Sequence, residues 1–369
     1  MLYKCKNCGG ELAFDPTLGK LKCKFCDSVY DLSEYEDHDH DHEHDHGENS
    51  EAEAESGRTA AEQGYTKATD GSTDVKEDLA VYACPHCGAE VVTDKNTVAT
   101  NCIFCDTPLI LQEQMEGKFA PDYVIPFAVD KKKISQLYEK YIHGKPFYPK
   151  EYSTSNVIDH IKAVYLPFWM YDFITRGEMT GTGERTWTRT TRDWIITEHD
   201  VFQFLRAGSM EFKKIPVIAS SKTPRDAMDS IEPFDYSKMV PFNNGYLPGF
   251  LAERYDLDEN ACCDPAKKRA SNTFDASLTD TIGGYTAVQI GKGSIEHVVM
   301  QNDFVLLPAY ILFMDYTGKG DDRLIAINGQ TGKVVGNVPV DKRKRNRFFL
   351  LIFLCVFIPL LLFFWFVLL

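Results

Sequence analysis

Basic side chains are scarce in this sequence of 369 residues: 40 Lys and Arg stand against 54 Asp and Glu, a net charge of −14. So acidic a chain is poorly suited to coating nucleic acid, whose phosphates select the opposite sign. An apolar run near the N-terminus is also missing. The opening MLYKCKNC has cations but no hydrophobic stretch behind them, which argues against a secretory signal. Enzymatic signatures are weak too. The one HExxH string, His42-Glu-His-Asp-His46, falls inside an alternating His/acid tract with no helical apolar pattern around it, and Gly329-Gln-Thr-Gly332-Lys333 lacks the four-residue gap and the trailing Ser or Thr of a phosphate loop. That stretch reads instead as a hairpin turn. The expectation is a protein that is not an enzyme.

Long apolar runs are missing from the first 347 residues, and then one appears. Phe348–Leu369 is 22 residues without a charged side chain, about 33 Å as a helix and enough to cross a hydrocarbon core of roughly 30 Å. Pro359 is tolerated in such a span, and Trp365 suits an interfacial anchor. Directly before it, residues 341–347 place five cations in a basic collar. The positive-inside rule puts that side in the cytoplasm. Nothing follows Leu369, so the expectation is a tail anchor: one pass through the cell membrane, with residues 1–347 cytoplasmic.

In the cytoplasm thiols stay reduced, so eleven cysteines point to metal rather than disulfides. Their spacing agrees. Cys5/Cys8 and Cys23/Cys26 are two C-x2-C pairs with fourteen residues between them. Cys84/Cys87 and Cys102/Cys105 repeat the pattern, each 79 positions after its counterpart. Gly9 and Gly88, Glu11 and Glu90, and Phe25-Cys26-Asp27 and Phe104-Cys105-Asp106 recur as well. Two knuckles on adjacent hairpins complete a tetrahedral four-sulfur site, closed and therefore structural. The reading is two Zn²⁺ ions on these eight cysteines. A rubredoxin-like iron site and redox dithiols are the alternatives. Small ribbons lack a core of their own, so the metal supplies most of their folding free energy.

Boundaries follow from composition. Residues 1–32 form the first zinc ribbon and 81–112 the second. Between them, 33–80 reads as a disordered acidic linker with His38, His40, His42, His44 and His46 alternating with carboxylates. It is a solvated spacer or a weak metal-collecting tract. Residues 119–340 read as an α+β domain rich in antiparallel sheet, followed by the collar at 341–347 and the transmembrane helix at 348–369. Within that domain, Asp130–His143 has helical spacing and Val164–Phe173 is an apolar, aromatic strand. Residues 177–218 read as an antiparallel meander, and 258–280 as a helix interrupted at Pro265. Leu307-Pro-Ala-Tyr-Ile-Leu312 echoes Leu166-Pro-Phe-Trp-Met-Tyr171. His160, His199 and His297 are scattered singly and read as structural, and Cys262-Cys263 as incidental thiols. Trp187 and Trp194, with Arg185, Arg189 and Arg192, form one basic aromatic patch on a hairpin that faces water.

The cysteine pairs, Leu166–Tyr171, Tyr246-Leu-Pro-Gly-Phe-Leu-Ala-Glu253 and Asn328–Lys333 together resemble a bacterial group. Its members carry TFIIB-type, primosomal-helicase-like zinc ribbons, an α+β domain and a C-terminal membrane anchor. The resemblance implies association with phage-shock-type and SPFH-domain membrane-stress proteins. The expected function is then a membrane-anchored adaptor that docks protein partners at the inner membrane face. The alternative is a membrane-tethered nucleic-acid binder or transcription regulator, suggested by Lys4, Lys6, Lys20, Lys22 and Lys24 around the first ribbon. An enzyme built on the α+β domain is a weaker third reading.

Overall fold

A computed structural model describes residues 3–38, 79–84, 90–94, 96–102, 107–111, 119–153, 157–158, 160–315 and 322–368. It is a mixed α+β structure. Fifteen strands and four α-helices are described, with an apolar helix at the C-terminal end. The His-rich tract beyond His38, together with Cys87, Cys105 and Ser155, lies outside the described residues.

The first cysteine unit is a three-stranded antiparallel sheet of β1 (Leu12–Asp15), β2 (Lys20–Cys23) and β3 (Val29–Tyr30). Four strands follow: β4 (Leu79–Ala83), β5 (Glu90–Asp94), β6 (Thr97–Asn101) and β7 (Pro108–Ile110). β4 pairs with β5, whereas β6 and β7 belong to the large sheet. The second unit is therefore continuous with the α+β body, not a bead beside it. The link is β12 (Leu251–Glu253), which pairs Ala252 with Ala99 on one side and with Tyr165 on the other.

At the centre lie two strands of 29 residues each, β9 (Lys162–Thr190) and β13 (Ala287–Asp315), antiparallel from Lys162–Ile311 to Glu184–Ala287. The two Leu-Pro motifs face one another there, with Leu166 opposite Leu307. β9 is covered on both faces, so Val164 to Tyr171 are all buried and no amphipathic alternation shows in the sequence. Period two still sorts them. Tyr165, Trp169, Tyr171 and Phe173 enter one core, while Val164, Leu166, Phe168 and Met170 enter a second.

The helices close these cores. α1 (Lys131–His143) is capped by Asp130, which accepts from the Lys133 N–H, and buries Ile134, Tyr138 and Ile142. α2 (Arg225–Ile231) covers the second core with Met228 and Ile231. The Asn328–Gly332 hairpin fixes the chain after α2: the Asn328 amide donates to the carbonyls of Ile231 (3.0 Å) and Pro233 (3.3 Å). α3 (Glu259–Asp280) is one continuous helix capped by Asp258. The interruption expected at Pro265 does not occur. Proline removes one helical hydrogen bond, but Cys262, Ala266, Ala270, Phe274 and Leu278 bury an unbroken stripe across it.

Residues 177–218 form no meander of short strands. β9 continues to Thr190, turns at 191–194, and returns as β10 (Ile195–Ile218), a strand of 24 residues. With β13 they make a long three-stranded arm. Three glycines inside β9 are packing positions. An added Cβ would sit 2.8 Å from the Phe274 ring at Gly177, and 2.5 Å from Phe204 at Gly181 and from Tyr285 at Gly183.

The C-terminal helix, α4 (Lys342–Leu368), begins inside the collar. Cations at a helix N-terminus oppose the macrodipole, and Asp341 offsets this by accepting from the Arg343 N–H at 2.8 Å. The helix is seated on the body, with Phe348 against Phe147 (5.2 Å between ring centroids) and Lys344 Nζ donating to the Tyr148 carbonyl at 2.8 Å. Among the described residues it is the one helix long and apolar enough to cross a membrane.

Candidate metal centre

The C-x2-C spacing folds each cysteine pair into a tight knuckle. In the first, the Cys5 N–H donates to the Gly10 carbonyl (2.7 Å) and the Gly9 N–H donates to the Cys5 carbonyl (2.8 Å). The residue after the second cysteine must then take positive φ, and Gly9 does so at +70°. The second knuckle makes the same demand of Asp27, at +57°. These are the positions that recur as Gly88 and Asp106 in the second unit. Asp27→Gly is therefore expected to be nearly neutral, because it loses only the exposed, solvent-screened Lys22–Asp27 pair (3.0 Å). Asp27→Val should cost roughly 1–2 kcal/mol through left-handed backbone strain. Hydrogen-exchange protection of β2 compares the two, and equal effects would refute the backbone argument.

The knuckles bring Cys5, Cys8, Cys23 and Cys26 together, with all four sulfurs within 4.8 Å of one another. Three of the sulfur separations are Cys5–Cys26 at 3.5 Å, Cys8–Cys23 at 3.5 Å and Cys8–Cys26 at 3.4 Å. A tetrahedral zinc–thiolate site with arms of about 2.3 Å has edges of roughly 3.8 Å. The cluster fits, and it can hold a metal ion. Cys5 and Cys23 are buried, Cys8 and Cys26 exposed, so the ion would sit at the surface of the unit.

Protons are held unevenly in the cluster. Burial works to raise the Cys5 thiol, but the Tyr30 hydroxyl and the backbone N–H groups of Cys8 and Asn7 bring it down to about 6. Cys8, opposed by the Gly10 N–H, is pushed up to about 12 by hydrogen bonds shared with Cys26 and Cys23. Four crowded sulfurs cannot all ionise alone, and a divalent cation relieves that conflict.

Among the described residues the second unit repeats part of the first unit's local framework, although β5 pairs with β4 and β6 joins the large sheet. Cys84 and Cys102 are buried like Cys5 and Cys23. The Cys102 N–H donates to the Thr107 carbonyl at 2.9 Å, as the Cys23 N–H does to Ser28 at 2.9 Å. With Cys87 and Cys105 outside the described residues, the full second ligand set is not seen. The two units touch: Thr107 Oγ1 donates to Glu11 Oε1 at 2.6 Å.

Neither unit stands apart from the body, and one segment seats both. Phe14 packs edge-on against Tyr246 (5.2 Å), and its N–H donates to the Pro248 carbonyl at 3.0 Å. Gly249, at φ +94°, brings the chain past Ala13, and Phe250 stacks on Phe127 at 4.3 Å. Two residues on, Ala252 pairs with Ala99 of the second unit. Tyr246–Glu253 thus holds both cysteine units. The sequence displayed the motif but gave no sign of its task, because its partners in the two cysteine units, such as Ala99 and Phe14, lie far away along the chain.

Several of the other singled-out residues make contacts within the fold. Cys262 is buried on α3, and burial pushes its thiol up to about 11. His297 is held between the hydroxyls of Thr175 (2.9 Å) and Ser271 (2.8 Å), and His199 contacts Glu184. Trp187 and Trp194 project from the arm tip into solvent.

These features define the class: an α+β protein with an N-terminal four-cysteine cluster that can hold a metal ion, seated on its sheet, and one apolar C-terminal helix. The chain is 31% identical over 345 residues to the uncharacterized protein YdjG of Bacillus subtilis (strain 168), a match covering 93% of this chain and 91% of that protein. It belongs to that protein's family. No family model matches the chain, and no solved structure does.

Proposed function

We propose that this protein is a non-enzymatic adaptor, held by its C-terminal helix at the inner face of the cell membrane, whose metal units present a docking surface to protein partners. Two structural Zn²⁺ ions stabilise that surface, one on Cys5, Cys8, Cys23 and Cys26, the other on Cys84, Cys87, Cys102 and Cys105. The observation that carries the reading is Phe25. It lies inside a metal knuckle of a unit already anchored by Phe14, yet it is 74% exposed. A rigid, exposed aromatic beside a metal site is the kind of residue that anchors a protein interface. The basic collar supports a cytoplasmic head. Confinement at the membrane raises the effective concentration of partners without new contacts. By resemblance, phage-shock-type and SPFH-domain membrane-stress proteins are the partner class proposed.

The nucleic-acid alternative is weakened by how the cations near the first site are used. Lys6 pairs with Glu34 (3.7 Å), Lys20 with Asp31 (2.9 Å) and Lys22 with Asp27 (3.0 Å). Each pair spends a charge that a phosphate would need.

The test compares the full-length protein in detergent with its Phe25→Asp variant, measuring co-purified partners and bound zinc. Zinc should be unchanged and partner recovery should fall at least tenfold. Full recovery with full zinc would sink the docking role of the knuckle.

A further inference from the structure

The arm has an open edge. β10 pairs with β9 in unbroken register from Ile195–Thr190 to Phe212–Phe173, and among the described residues no strand pairs with its other side. An open edge of this length, about 60 Å at roughly 3.3 Å per residue, is a template for another strand. Between Ile195 and Phe212 there is no proline, no lysine and no bulge, and the charges present, Glu198, Asp200, Arg206 and Glu211, are of both signs. The opposite edge of the arm is guarded: β13 shifts register between Ile290 and Gly293 and again between Val299 and Gln301, and carries Lys292.

The central side chains of the open edge, Asp200 to Arg206, are self-complementary. We infer that the β10 edge pairs antiparallel with the same edge of a second copy of this chain, about a two-fold axis at Gln203. In that register Val201, 67% exposed, lies opposite Leu205, 57% exposed. Phe202 lies opposite Phe204 on the other face, and Ile196 opposite Met210. Asp200 lies opposite Arg206, and the two-fold repeats every pair. The neighbouring centres do not match. Centring on Phe202 sets Val201 against Gln203 and Leu205 against His199, and centring on Phe204 sets Val201 against Ala207 and Leu205 against Gln203, so neither pairs the exposed apolar side chains with each other. Direct apolar, aromatic and opposite-charge cross-strand pairs stabilise a sheet. The exposed Val201 and Leu205 are thereby covered, and the two three-stranded arms become one six-stranded sheet. The axis stands normal to that sheet, so the two bodies lie at its opposite ends.

The test measures the mass of the full-length protein in detergent, with bound zinc as the check on folding. The natural chain should be a dimer. Asp200→Lys and Arg206→Asp should each dissociate at least tenfold more readily, because each sets like charges opposite one another twice. An equimolar mixture of the two variants should dimerise again, since each variant then offers the charge that the other lacks. A second measurement uses mild oxidation. Gln203→Cys should give a covalent dimer that Gln203→Ser does not. Val201→Cys and Leu205→Cys should cross-link when mixed, but not singly. A monomeric natural chain, or a dimer unaffected by either charge variant, would overturn the proposal.

Discussion

Changing Cys23 to Ser in the full-length protein is expected to remove the metal from the first unit and unfold that unit. The unit's own core is small, essentially Leu12, Phe14 and Leu21 with the buried faces of Cys5 and Cys23. Structural zinc in such small domains contributes an apparent 10–16 kcal/mol, far more than that core could supply. Docking through Phe14 offsets only part of the loss. The readouts are elemental analysis and amide exchange: one ion per chain should disappear, and Leu12–Asp15 and Lys20–Cys23 should lose protection. The body should stay folded, because its two cores contain no metal ligand beyond the docked unit. Unchanged protection of β1 and β2 would mean that the cysteines are not the unit's framework.

The second large effect is expected from Phe250→Ala. Phe250 stacks on Phe127 with planes 7° apart, meets Tyr165 edge-on at 5.7 Å and touches Phe14 at 6.4 Å. Truncating a buried aromatic leaves a cavity and costs about 3–5 kcal/mol. Here the cavity opens between the first metal unit and the body, so the unit should loosen as well as the core. Denaturation midpoints of Phe250→Ala, Phe14→Ala and the double variant separate the two contributions. The pair should fall short of additivity by roughly 0.5–1.5 kcal/mol, the coupling usual for aromatic neighbours. Full additivity would show that Phe14 docks independently of Phe250.

Several parts of this structure could be read directly from the sequence. The Asp130-capped helix was legible because its cap and its apolar spacing are local. So was the turn at Asn328–Gly332, where the Asn328 side chain accepts from the Gln330 and Thr331 N–H groups at 2.9 Å each. The arm was not. Residues 177–218 read as a meander of several strands, and only the rings of Phe274, Phe204 and Tyr285 lying across Gly177, Gly181 and Gly183 show why these glycines belong inside one long strand. Pro265 misled for a similar reason, since the packing that overrides it comes from the sheet beneath α3.

The sequence by itself determined the apolar helix and the first four-cysteine cluster. Both depend on spacing along the chain: an uncharged run of sufficient length, and ligand pairs held in tight turns of three or four residues. Only the tertiary structure decided that Tyr246–Glu253 seats both cysteine units, and that one edge of a long arm stays open. Those outcomes rest on contacts between residues far apart in the chain, such as Phe14 with Tyr246 and Ala99 with Ala252. Local propensity and periodicity carry no record of them, because their free energy appears only once the sheet has formed.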